Sequence, residues 1–139
     1  MGYSLESLEN FFCGIGEQKF RAKQLLSWIH KKGITNFNLM TDFNKELRIK
    51  LQSLAIIKPP KIFKEFISEE GTKKFLIELE SGSMVEMVII PEKNRKTLCI
   101  SSQAGCALQC TFCATGAQGF EQDLKSDELI GQLWLCLLY

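Results

Sequence analysis

The stretch SSQAGCALQCTFCATGAQGF, Ser101–Phe120, places three cysteines within eight residues: Cys106, Cys110 and Cys113, spaced C-x3-C-x-F-C with Phe112 before the last. Three clustered thiols with no fourth cysteine or histidine close behind describe an incomplete metal site. An ordinary [4Fe–4S] cluster takes four cysteines, and ferredoxin-type runs space them C-x2-C-x2-C-x3-C-P. Three thiolates leave one iron with an open position, which is where chemistry can happen. A structural zinc site is the competing reading and needs four ligands. The single histidine, His30, is far off in sequence, but Cys99, seven residues upstream of Cys106, supplies a possible fourth thiol. A disulfide framework fits less well, because three cysteines leave one unpaired and the N-terminal residues do not read as a signal peptide. Cys13 and Cys136 sit in the apolar helical contexts LENFFC and LWLCLLY, where a small buried hydrophobe is the default expectation.

Outward from that stretch, composition bounds the class. Of 139 residues 45% are hydrophobic and 24% charged. No apolar run approaches the roughly 18 residues that would suggest a membrane span, so a soluble, cytoplasmic, monomeric protein is expected. The net charge of +1 is unevenly spread. Residues 1–58 hold nine Lys/Arg against five Asp/Glu, 59–96 hold seven of each, and 97–139 hold one against four. The positive end is therefore the candidate for meeting a polyanion, with Arg21, Lys23, Lys31 and Lys32 as candidate contacts to it, although such an excess is also compatible with a solvated face.

Three zones follow one another without repeats or low-complexity linkers. In residues 1–58, Leu5, Leu8 and Phe11–Phe12 recur at helical spacing, with Gly14 and Gly16 ending the segment. A second helix is expected from about Phe20 to Lys32, with Phe20, Leu25, Trp28 and Ile29 on one apolar face and Gly33 as its stop. A third is expected from an N-cap at Thr41 or Asp42, turning Phe43, Leu47, Leu51 and Leu54 inward. Pro59–Pro60 closes the zone. Residues 59–96 switch to strand patterning at Lys61–Ile67, Lys73–Leu79 and Met84–Ile90, with a turn at Glu69-Glu70-Gly71. Glu86 interrupts the apolar run VEMVII, as a solvent-facing strand position would. In residues 97–139, a short strand Leu98–Ser101 leads into the cysteine loop, and a helix starts near an N-cap Ser126 with Asp127 and Glu128 in its first turn. Strand, cofactor loop, helix is how a (β/α) barrel begins, with its site at the C-terminal ends of the strands. The fold class expected is thus α+β to α/β: an N-terminal helical accessory domain (1–58), a β-rich connecting segment (59–96), and the first strand–loop–helix of a truncated barrel (97–139). One such unit leaves Leu133, Trp134, Leu135, Leu137 and Leu138 without a core to enter, so instability of this last third is expected.

The cysteine spacing resembles that of radical S-adenosylmethionine (SAM) enzymes, and the likeness extends beyond it. VEMVIIPEKNRKTLCISSQAGCALQCTFCATGAQGF followed by ELIGQLW closely resembles the RlmN/Cfr-type radical SAM adenine methyltransferases of RNA. GEQKFRAKQLLSWIHKKG and NFNLMTDFNKELRIKL are similar to that family's accessory helical domain. ALQC and AQGF resemble the carbon-2 branch more than the carbon-8 relative.

The resemblance implies methylation of carbon 2 of adenosine in large-subunit ribosomal RNA and in some transfer RNAs. The partners implied are these RNAs and an electron donor for the cluster. Carbon 2 is an sp2 C–H carbon and a poor nucleophile, so the family first places a methyl group on a cysteine. It then cleaves a second SAM reductively, and the resulting radical activates that methyl group for addition to the base. By the resemblance, Cys106, Cys110 and Cys113 hold a [4Fe–4S] cluster that binds SAM, and Phe112 packs beside SAM. Cys99 corresponds to the cysteine whose transient, catalytic disulfide releases the covalent RNA adduct, and Glu86 to a glutamate that helps remove a proton from it. The methyl-carrying cysteine, the glycine-rich SAM segment and the other barrel strands find no counterpart here. An N-terminal fragment, inactive on its own, is expected. A non-catalytic RNA-binding or metal-binding module stays open beside it.

Overall fold

A computed structural model describes residues 2–108 and 110–139. The chain divides into a helical unit ending at Pro59 and a strand-rich unit beginning at Pro60.

In the helical unit, α1 (Leu5–Gly14) starts where the Ser4 hydroxyl accepts a hydrogen bond from the Ser7 amide at 3.1 Å. It ends in a Schellman motif: Gly16, at φ +82°, donates to the Cys13 carbonyl, and the Glu17 amide donates to that of Phe12. Leu8 and Phe12 are buried. Cys13, expected to be buried, is exposed, because at its helical position it falls beside the Leu8–Phe12 stripe and not on it. Cys136 is only half-buried, against the same expectation.

Helix α2 (Phe20–His30) buries Ala22, Leu25, Trp28 and Ile29. Phe20, expected on that face, is 48% exposed. Lys31 and Lys32 follow the helix in a turn that leads to Gly33 at φ +66°. After a short 3-10 turn at Phe37–Leu39, α3 (Lys45–Leu54) is capped by Asn44, whose side chain accepts from the Leu47 amide at 2.7 Å. The cap therefore lies past Thr41 and Asp42. The Asp42 carboxylate is occupied instead by the Trp28 indole N–H at 3.1 Å, and Phe43 is buried ahead of the helix. Leu47 and Leu51 face the core, whereas Leu54, expected there, is 52% exposed. The core of the unit is Phe12, Met40, Phe43, Leu47 and Leu51.

In the second unit, β1 (Lys61–Ile67), β2 (Lys73–Glu78), β3 (Met84–Pro91) and β4 (Lys96–Cys99) form one antiparallel sheet in sequence order. Gly71, at φ +83°, makes the β1–β2 turn. Phe75, Ile77, Val85, Met87 and Ile89 are buried on the inner face, and Lys74, Leu76, Glu86 and Val88 alternate with them on the outer one.

The strand expected to run to Ser101 stops at Cys99, and a side chain takes over its ladder. The fully buried Gln132 accepts from the Ser101 amide at 3.0 Å and donates to the Ser101 carbonyl at 2.9 Å. Gln132 belongs to α5 (Ser126–Leu138), whose Glu128 carboxylate accepts from the Lys125 amide at 2.8 Å. Lys125, not Ser126, is the cap residue. Trp134 and Leu135 are buried, contrary to the expectation of a helix without a core; Leu133, Leu137 and Leu138 remain exposed. Between β4 and α5 lie the short strands β5 (Gln103–Gly105) and β6 (Phe120–Asp123), paired antiparallel, and the one-turn helix α4 (Ala114–Ala117).

Candidate functional site

The cysteine loop is closed at its base by β5 and β6. Gly105 has φ +72°, and a Cβ there would fall on the Gly119 carbonyl oxygen, the same oxygen that accepts from the Cys106 amide at 2.9 Å. The close backbone approach therefore requires glycine immediately before the first cysteine. Within the loop, the Cys113 amide donates to the Cys110 carbonyl at 3.1 Å, and the Cys113 carbonyl accepts the first bond of α4 from Ala117 at 3.0 Å. Cys113 is thus the cap residue of α4. Backbone N–H groups of Gly116 and Thr115 directed at its sulfur hold the thiol below its ordinary pKa, which favours the thiolate a metal needs.

All three loop cysteines are partly accessible. The donor chemistry fits an iron–sulfur cluster: three thiols on one closed loop, one of them biased toward the anion. Among the described residues, however, no three His, Cys, Asp or Glu side chains are gathered into a ligand set, with Cys99 or without it. Phe112 is 91% exposed.

Glu86 and Cys99 share the outer face of the sheet. Val88 pairs with Cys99 across β3 and β4, and Glu86 lies two residues before Val88 on the same face. Glu86 is solvent-exposed and ion-paired with Lys74 at 3.1 Å, and Ser101 Oγ donates to its backbone carbonyl at 2.7 Å. Cys99 is exposed.

Of the four basic candidates, Lys23 and Lys31 project into solvent. Arg21 is half-buried: it donates to Gln24 and to the Asp42 carbonyl and lies against the Phe20 and Phe43 rings. Lys32 Nζ sits 3.2 Å from the centre of the Trp28 ring. The sequence reading missed Gly105, Gly119 and Gln132. The glycines bracketing the cysteine run carried a signal; Gln132, one polar residue in an apolar helix, carried one too.

Comparison with known proteins assigns a class first. The crystal structure of a radical SAM methyltransferase from Sphaerobacter thermophilus superposes with a TM-score of 0.87 at 30% identity, covering 96% of this chain and 40% of that one. Residues 1–57 match the family model for the ribosomal RNA large subunit methyltransferase N-terminal domain. Dual-specificity RNA methyltransferases RlmN of Pseudomonas putida, strains F1 and W619, are 51% identical over 97% of the chain and 35% of their own length. The chain is similar along almost its whole length to RlmN-type radical SAM RNA methyltransferases, and it spans about a third of the length of the curated relatives it matches.

Proposed function

We propose that this chain supplies the accessory helical domain, the cluster loop and two catalytic side chains of a radical SAM enzyme that methylates carbon 2 of adenosine in large-subunit ribosomal RNA and in some transfer RNAs. The observation that carries the reading is the closed loop with three accessible thiols, in a chain so similar to these methyltransferases. Cys106, Cys110 and Cys113 are the ligands of a [4Fe–4S] cluster, leaving one iron for SAM, and Phe112 flanks that cofactor. When bound and reduced by an external donor, the cluster supplies one-electron cleavage of SAM. The chain's own residues do the rest of their share from the outer face of the sheet. Glu86, solvent-exposed on that face, takes a proton from the modified base. Cys99 offers an accessible thiol for a transient disulfide that frees the RNA. The strand β4, the loop and α5 are the opening of a (β/α) barrel in this reading, and Lys23 and Lys31 add non-specific affinity for RNA phosphates.

Anaerobic reconstitution with iron and sulfide tests it. We expect an oxygen-sensitive brown protein with about four irons, whose reduced paramagnetic signal changes on adding SAM. Replacing any one of Cys106, Cys110 or Cys113 by Ala removes it. Stoichiometric zinc with no iron, dependent on Cys99, would sink the proposal.

A further inference from the structure

Beside Glu86 and Cys99, the outer face of the four-stranded sheet carries an aromatic and basic cluster, Phe66, Lys64 and Lys74, that the reaction chemistry does not use. Phe66 on β1 pairs with Lys74 on β2, Lys74 with Val88 on β3, and Val88 with Cys99 on β4, so these four residues form one lateral row on one face. The next row runs Lys64, Leu76, Glu86. Phe66 is 43% exposed although it is a large apolar side chain. Lys64 Nζ lies 4.7 Å from the centre of its ring and Lys74 Nζ 5.3 Å.

We infer that this face is a platform for single-stranded RNA, on which Phe66 stacks one base while Lys64 and Lys74 contact the flanking phosphates. The inference rests on the RNA-modifying reading above and deepens it. An exposed aromatic ring on a sheet face, with two cations at its margin, matches what an unpaired nucleotide offers: a π-face and a negative backbone. Duplex RNA would present phosphates without a free base, and the ring would gain nothing from it. Stacking has to displace the ammonium groups from the ring. Each exposed cation–π contact is worth about two- to fivefold in an equilibrium constant, so losing both costs about four- to 25-fold, whereas base stacking is worth about five- to 150-fold in affinity. The released lysines then find phosphates, so the exchange runs toward binding. Neighbouring strands are about 4.8 Å apart, which puts Phe66 three strands and about 14 Å from Cys99. The stacked base is consequently not the one that reacts. It is a nearby unpaired nucleotide, and its capture would register the substrate on the Glu86–Cys99 end of the same face.

The experiment measures binding of fluorescein-labelled oligoadenylate to the full chain by anisotropy across a salt series. Far-UV circular dichroism confirms that each variant folds. F66L, which keeps an apolar side chain and removes the ring, is expected to weaken binding five- to 150-fold, about the range for one stacked base. F66Y is expected to keep wild-type affinity. Replacing Lys64 and Lys74 together by Gln is expected to lower the slope of log K against log salt by about 1.4, for two phosphate contacts. Wild-type affinity in F66L overturns the platform. Failure of the wild-type chain to bind oligoadenylate overturns it too, while cluster incorporation, the test of the enzyme reading, stands on its own. Binding to phosphatidylserine vesicles without binding to oligoadenylate would assign the face to a membrane surface and equally overturn it.

Discussion

The helical unit and the cysteine loop are built on opposite plans. Three helices and a 3-10 turn enclose a core in which Phe12, Met40, Phe43, Leu47 and Leu51 are almost wholly shielded. The segment from β5 to β6 buries little beyond Ala104 and Gly116, exposes Leu108 and Phe112, and is held chiefly by backbone contacts at its base. Burial of apolar surface explains the first and not the second. A loop with three accessible thiols and no core of its own would gain order from a bound metal, as metal-ligand loops do. A core substitution should therefore damage the helical unit, and a ligand should matter to the loop.

Phe12→Ala gives the largest effect. Phe12 is fully buried, with its ring 5.6 Å from that of Phe11 and 6.3 Å from that of Phe43. Its removal should destabilise the helical unit by about 3–5 kcal/mol. Hydrogen exchange read region by region should then show loss of protection in α1, α2 and α3, with the β2–β3 ladder kept. Equal loss in both regions would mean that the two units share one cooperative core.

Gln132→Leu comes next and strikes the other unit. The substitution keeps the volume and leaves the Ser101 amide and carbonyl without the partner that replaces the ladder after Cys99. Leaving such part-buried groups unsatisfied costs at most about 1–3 kcal/mol. Faster amide exchange should be confined to Ser101 and its neighbours in β4, with the helical unit unaffected. Unchanged exchange at Ser101 would show that water replaces the glutamine without loss.

What was legible in the sequence follows the same division. Strands β2 and β3 were readable because one buried and one open face impose alternation, as in Phe75, Ile77 and the lysines beside them. The helices were readable from their apolar periods, but their ends were not. Phe43 fits the spacing of α3 and yet precedes it, since the cap depends on which of Thr41, Asp42 and Asn44 is free, and Asp42 is engaged by Trp28. Strands as short as QAG and FEQD carry no period at all, so the hairpin closing the loop was invisible. The end of β4 depends on a glutamine 31 residues away. Of the candidate site, the three cysteines were legible from spacing alone. The row from Phe66 to Cys99 was not, because cross-strand register is a property of the pairing and not of any one segment.

The smallest effect is a titration that touches the helical unit through one group. His30 is the single histidine, and it sits in the last turn of α2. A helix C-terminus ordinarily favours the imidazolium form, yet the pKa of His30 lies below its usual value, and partial burial is the main cause. Desolvation of the charged ring therefore outweighs the dipole here. The folded state then binds the proton less readily than the unfolded chain does. Between the two pKa values the unfolded state holds more protons, so stability rises with pH through that window and is lost as pH falls below the ordinary histidine value. Thermal unfolding of the helical unit, followed by circular dichroism, should shift downward on acidification from neutrality. In His30→Gln that part of the shift should vanish, because the imidazole that takes up the proton is gone. A wild-type midpoint that rises on mild acidification would mean that the helix terminus, and not burial, governs this histidine.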